Sequence, residues 1–128
     1  MSKTVLIVED YDDSRVMMKA LIEMCGHKVV AAEDGFEAIE KAKEHSPELI
    51  FMDLAMPGMD GVSATQIIRG FEGFADIPII ALTAYGELRG QEALEAGCNA
   101  VLSKPMDFDR LHPLLDKYLN SNALESAA

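Results

Sequence analysis

The chain has 128 residues, 49% hydrophobic and 26% charged, a size and balance that suit one globular domain able to bury its core without disulfides or a structural metal. Acidic residues outnumber basic ones 22 to 11, for a formal charge of −11, which repels a phosphate backbone and an anionic membrane surface and argues against direct nucleic-acid binding. Apolar runs such as Val5 to Val8 and Ile77 to Leu82 are too short to cross a bilayer and no basic-then-apolar leader opens the chain, so a cytoplasmic protein without a membrane role is expected.

The first predicted strand is Thr4-Val5-Leu6-Ile7-Val8, which runs into the acidic segment Glu9-Asp10-Tyr11-Asp12-Asp13. Val16, Met17, Ala20, Leu21 and Met24 then recur at helical spacing, and Gly26 follows as a C′ residue. Cys25 and Cys98 stand far apart with no CxxC pair, so both are read as reduced and packed. Lys28 to Ala31 forms the second strand, and Asp34 with Glu37 suits the start of the second helix. Strands follow at Leu49 to Met52, Pro78 to Leu82 and Ala100 to Leu102, with helices near 61 to 70, 86 to 96 and 108 to 119.

Strands alternating with helices pair in parallel through right-handed crossovers, which leads to an α/β fold: a flavodoxin-like, doubly wound, five-stranded parallel sheet in the order 2-1-3-4-5. Continuous apolar strands predict burial on both sheet faces. Pro113 is irregular inside the last helix, and a bent start or a delayed one capped by Asp109 is expected. The domain is expected to span residues 1 to 120, and the small and polar residues 121 to 128 to form a frayed tail. His27, His45 and His112 have no partnering motif and are read as surface or capping residues. The eight methionines mostly suit core filling.

In such a sheet the ligand crevice lies outside the carboxyl ends of the strands, where strand order reverses. The first strand ends at Glu9-Asp10, the third at Asp53, the fourth at Thr83 and the fifth at Ser103-Lys104-Pro105. Each residue has an ordinary explanation alone: helix capping for the acidic segment, above all for Asp12 and Asp13, a turn for Asp53, strand propensity for Thr83 and solvated surface for Lys104. Together they place three carboxylates, a hydroxyl and an ammonium on one edge. Crowded carboxylates resist ionisation unless a cation sits among them, and oxygen-only ligands suit Mg²⁺.

The segments Val5-Leu6-Ile7-Val8-Glu9-Asp10, Ile50 to Gly61 (IFMDLAMPGMDG), Ile80-Ala81-Leu82-Thr83-Ala84 and Leu102-Ser103-Lys104-Pro105 resemble receiver domains of two-component response regulators. The resemblance covers roughly residues 3 to 119. It implies that Asp53 accepts a phosphoryl group, that Asp10, Asp53 and the Ala55 carbonyl bind Mg²⁺, and that Glu9 joins the site through water. Thr83 and Lys104 would contact phosphate oxygens, and the Lys104-Pro105 bond would be cis. A sensor histidine kinase or a histidine phosphotransfer protein would be the donor. The protein would be a switch, not an enzyme with a small-molecule substrate, and a monomer or weak dimer. Without an output domain it would signal through the fourth helix, fifth strand and fifth helix to another protein, or by onward phosphotransfer. The alternative is a pseudo-receiver that binds partners without phosphorylation.

Other folds of this order fit less well. A flavodoxin needs an uncharged phosphate loop where Glu9 to Asp13 stand. A haloacid-dehalogenase-type phosphatase needs a second Asp where this chain has Ala55. A Ca²⁺ loop from Asp10 fails at Arg15 and Leu21. Many receivers also carry an aromatic residue where this chain has Val101, so a ring rotamer switch is unavailable. Tyr85 is expected to shield the phosphorylated aspartate from water or to serve as a docking residue.

Overall fold

The computed structural model describes residues 3–84 and 89–119. Five strands and five helices alternate: β1 Thr4–Val8, α1 Asp12–Met24, β2 Lys28–Ala32, α2 Gly35–His45, β3 Leu49–Asp53, α3 Gly61–Arg69, β4 Ile79–Thr83, α4 Gly90–Ala96, β5 Ala100–Ser103 and α5 Phe108–Leu119. The sheet is parallel throughout and has the expected order β2-β1-β3-β4-β5. Strand limits differ from the sequence reading by one residue at most. Tyr85 and residues 120–128 lie outside the described residues.

The apolar runs Val5 to Val8 of β1 and Leu49 to Met52 of β3 are buried on both faces, as their unbroken character requires. Leu6, Val8, Ile50 and Met52 face α2, α3 and α4 in one core; Val5, Ile7, Leu49 and Phe51 face α1 and α5 in the other. Alternation along each central strand thus supplies two cores, and the helices cover both.

The helix ends follow local chemistry. Asp34 caps α2 by accepting from Glu37 N at 2.8 Å, while Glu37 reaches back to Glu33 N at 2.6 Å. Asp60 caps α3 through Ser63 N at 2.8 Å. Gly26, just past α1, has φ of +89° and Gly97, past α4, has +118°, left-handed positions that suit glycine. Asp12 and Asp13 occupy the first turn of α1, where the helix dipole favours them, but the cap position is Tyr11 and it makes no side-chain cap bond.

Two readings need correction. The last helix does not start late at Asp109: Asp107 accepts from Arg110 N at 3.1 Å, α5 begins at Phe108, and Pro113 stands in its interior. The missing hydrogen bond is tolerated because Leu111, Leu115 and Leu119 anchor the helix in the core on either side of the proline. His27 is not a surface group. It is buried, and its Nδ1 accepts from Lys3 N at 3.2 Å, so burial holds its pKa below the ordinary value.

Arg69, in the last turn of α3, fastens three connections. Its Nε and Nη2 donate to Gly97 O at 3.0 and 2.7 Å, Nη1 to Phe74 O at 2.8 Å, and Nη2 also to Asn99 Oδ1 at 3.0 Å. Asn99 Oδ1 in turn accepts from Ile79 N at 2.9 Å, linking the clamp to the start of β4. Arg69→Met keeps an apolar stem but deserts these carbonyls, so stability is expected to fall by about 2 kcal/mol. Urea unfolding with an unchanged slope checks this.

Candidate functional site

The register of the central strands builds the site. Val8 of β1 lies beside Met52 of β3, so the next residues, Glu9 and Asp53, end adjacent strands side by side. Glu9 is fully buried and Asp53 nearly so, whereas Asp10 is exposed at the start of the loop. Carboxylate oxygens of Glu9, Asp10 and Asp53 all lie within 4.8 Å of one another.

Lys104 enters from the far edge of this group. Its Nζ donates to Glu9 Oε1 at 2.9 Å and to Asp53 Oδ2 at 3.0 Å. The Lys104-Pro105 peptide is cis, as the resemblance implies. Thr83 ends β4 opposite Ser103 of β5, nearly buried, and its carbonyl accepts from Lys104 N at 2.8 Å. The other Asp53 oxygen, Oδ1, accepts from Ala55 N at 3.1 Å, and Ala55 itself is exposed on the loop after β3. The fold therefore gathers Glu9, Asp10, Asp53, Ala55, Thr83 and Lys104 at one end of the sheet.

The charges do not balance: three carboxylates face one ammonium. Burial, and then hydrogen bonding and repulsion from Glu9, push the Asp53 carboxyl up to about 7 from its ordinary 3.8. Burial also acts to raise Glu9, but hydrogen bonds with Asp53, Lys104 and Tyr11 N outweigh it and hold Glu9 below its ordinary value. Lys104 loses charge stability through burial, yet its two carboxylate partners raise its pKa overall. All the donors are hard oxygens, Asp10 opens to solvent, and positive charge is short. These residues fit a hard divalent cation such as Mg²⁺.

Two arginines near this edge had no expected role. Arg15 Nη1 donates to Glu9 O at 2.9 Å. Arg89 Nη1 bonds Asp60 Oδ2 at 2.7 Å, joining the loop after β3 to the start of α4. Neither contact follows from a periodic pattern: Arg15 reaches back from α1 to a main-chain carbonyl, and Arg89 joins two different connections. The visible signal for Arg15 was only a basic residue among many acids.

Comparison with known proteins agrees with this geometry. The family model for the response regulator receiver domain matches residues 5–116. The polar-differentiation response regulator DivK of Brucella ovis is 35% identical over 120 residues, covering 93% of this chain and 98% of its own. The receiver domain of sensor histidine kinase PA1611 from Pseudomonas aeruginosa PAO1, whose structure has a magnesium ion coordinated in the active-site cleft, is 32% identical with a TM-score of 0.86, covering 94% of this chain and 99% of that one. The chemotaxis protein CheY4 of Vibrio cholerae is 28% identical with a TM-score of 0.86, covering 92% of this chain and 99% of that one.

Proposed function

The chain belongs to the response regulator receiver domain family, and from that premise we propose that it takes a phosphoryl group onto Asp53 from a phosphohistidine on a sensor histidine kinase or histidine phosphotransfer protein. The single observation that carries this reading is the buried Asp53 carboxylate held at 3.0 Å by Lys104 beside an acidic cluster short of positive charge. Glu9, Asp10, Asp53 and the Ala55 carbonyl would hold Mg²⁺, with Glu9 acting through water. When bound, the ion supplies positive charge against the phosphoryl oxygens.

The residues of the chain do the rest. An Asp53 oxygen attacks phosphorus in line; the O–P bond forms as the P–N bond of the donor breaks, and the departing imidazole keeps the bonding pair. Lys104 exchanges a carboxylate partner for a phosphoryl oxygen, and Thr83 donates its hydroxyl to another. These two contacts draw on the ends of β4 and β5, which carries the change to the α4, β5 and α5 face and to a downstream protein. The protein acts in the cytoplasm as a monomer or weak dimer, a switch without a small-molecule substrate. No helix among the described residues is long and apolar enough to cross a membrane.

Incubation with Mg²⁺ and acetyl phosphate, followed by intact mass measurement, tests the reading. Wild type should gain one phosphoryl group and Asp53→Asn none. Labelling of the variant would overturn the choice of Asp53. A wild type that binds its partners but takes no phosphate would make the chain a phosphorylation-independent interaction module.

A further inference from the structure

Arg15 stands one turn into α1, beside the acidic cluster, with its side chain only 15% exposed. A cation so near a cation site raises repulsion against any divalent ion, so its placement calls for a compensating role. Its fork makes three contacts. Nη1 donates to the Glu9 carbonyl at 2.9 Å; Nη2 pairs with Asp12 and lies 3.3 Å from Glu33 Oε1. The exposed pairs with Asp12 and Glu33 contribute little to stability by themselves. The carbonyl contact is different in kind, because the Glu9 carbonyl belongs to the peptide group that also carries the Asp10 nitrogen.

The peptides on either side of it are held as well. Glu9 N donates to Ala32 O at 3.0 Å, Tyr11 N to Glu9 Oε2 at 3.1 Å, and Arg15 N to Tyr11 O at 3.0 Å. Glu33 is itself held in the connection before α2, where its N–H meets the Glu37 carboxylate. We propose that Arg15 is a positioning residue for the divalent-ion site, holding the Glu9-Asp10 peptide plane in the orientation that brings the Asp10 carboxylate beside Glu9 and Asp53. Asp12 and Glu33 neutralise its charge, which limits the repulsion. This inference rests on the proposed function only in taking Mg²⁺ as the ion.

The positioning and electrostatic effects of Arg15 have opposite signs, so a substitution separates them. Mg²⁺ affinity is measured on the full chain by titration followed through backbone amide shifts, for wild type, Arg15→Ala and Arg15→Lys. Loss of an outer partner of a metal ligand weakens affinity by about ten- to a hundredfold, and that range is expected for Arg15→Ala. Arg15→Lys keeps the charge but cannot serve the carbonyl and both carboxylates with one ammonium, so it should weaken binding too. Tighter or unchanged binding in Arg15→Ala would overturn the inference. Should that variant fail to fold, unchanged affinity in Arg15→Lys would overturn it equally. Phosphate uptake by wild type, measured alongside, keeps the readings apart. Uptake with unaltered Mg²⁺ affinity in the variants sinks only the role of Arg15, whereas weakened affinity in the variants without wild-type uptake sinks only the phosphoacceptor assignment.

Discussion

Gly61→Ala is expected to lower stability by about 3 kcal/mol and to abolish phosphate uptake at Asp53. A Cβ at this position would stand 2.2 Å from Asp53 O and 3.0 Å from both Asp53 C and Leu54 Cα. These are backbone atoms, so no side-chain rotation relieves the overlap; either the end of β3 or the first turn of α3 must move. Overpacking of this kind costs about 1–3 kcal/mol, occasionally more, and a rigid backbone neighbour places Gly61 at the upper end. The same displacement shifts the Asp53 carboxylate away from Lys104, which explains the functional loss. Gly70 is the control: an added Cβ would meet Ile67 O at 3.4 Å and Gln66 O at 3.8 Å, ordinary contact distances, so Gly70→Ala should change stability by about 0.5 kcal/mol or less. Urea unfolding and intact mass after acetyl phosphate treatment measure both effects. Wild-type stability and labelling in Gly61→Ala would mean that the loop yields more readily than its contacts imply.

Asp53→Asn should make the protein more stable at pH 8, by about 2 kcal/mol in the absence of divalent ions. A carboxyl raised from 3.8 to about 7 binds more protons in the folded state than in the unfolded one between those values. Stability therefore falls as pH rises through this window, and the penalty is absent below pH 4 and complete above pH 7. Its ceiling is about 4 kcal/mol, at roughly 1.4 kcal/mol for each tenfold change. Asparagine keeps the shape and removes the charge, but it weakens the bond from Lys104 by about 1–2 kcal/mol. Thermal unfolding at pH 4.5 and pH 8 checks the sign: the gap between the two proteins should widen with pH. Adding Mg²⁺ at pH 8 should close it by stabilising wild type far more than the variant. A variant less stable than wild type at pH 8 would mean that Lys104 fully compensates the buried charge.

Much of this arrangement was legible because its signals are local or periodic. The alternation of apolar runs and helical stripes led to the sheet order, and the rule that crevices form at strand ends brought Glu9, Asp53, Thr83 and Lys104 into one group. The range 108 to 119 for α5 agrees with the structure, but the delayed start capped by Asp109 does not: Pro113 suggested a place in a first turn, whereas Asp107 is the residue that accepts from Arg110 N. His27 looked like surface because a lone histidine carries no sign of its partner, here a backbone amide 24 residues away. The roles of Arg15, Arg69 and Arg89 were invisible for a similar reason. Arg69 and Arg89 bind groups that become neighbours only after crossover connections close, and Arg15, only six residues from Glu9, bonds a main-chain carbonyl, an acceptor that leaves no trace in side-chain pattern.

The bridge from Lys104 to Asp53 spans 51 residues, and that to Glu9 spans 95. Contacts so distant in sequence close late, since most of the chain must already be in place. Synthesis runs from the N-terminus, so β1 and β3 are made before Lys104. The growing chain thus holds its acidic residues without their ammonium partner, and such a chain cannot yet offer Asp53 in the geometry required for phosphoryl transfer. On the proposed function, competence to accept a phosphoryl group should arise only when the final strand has been delivered.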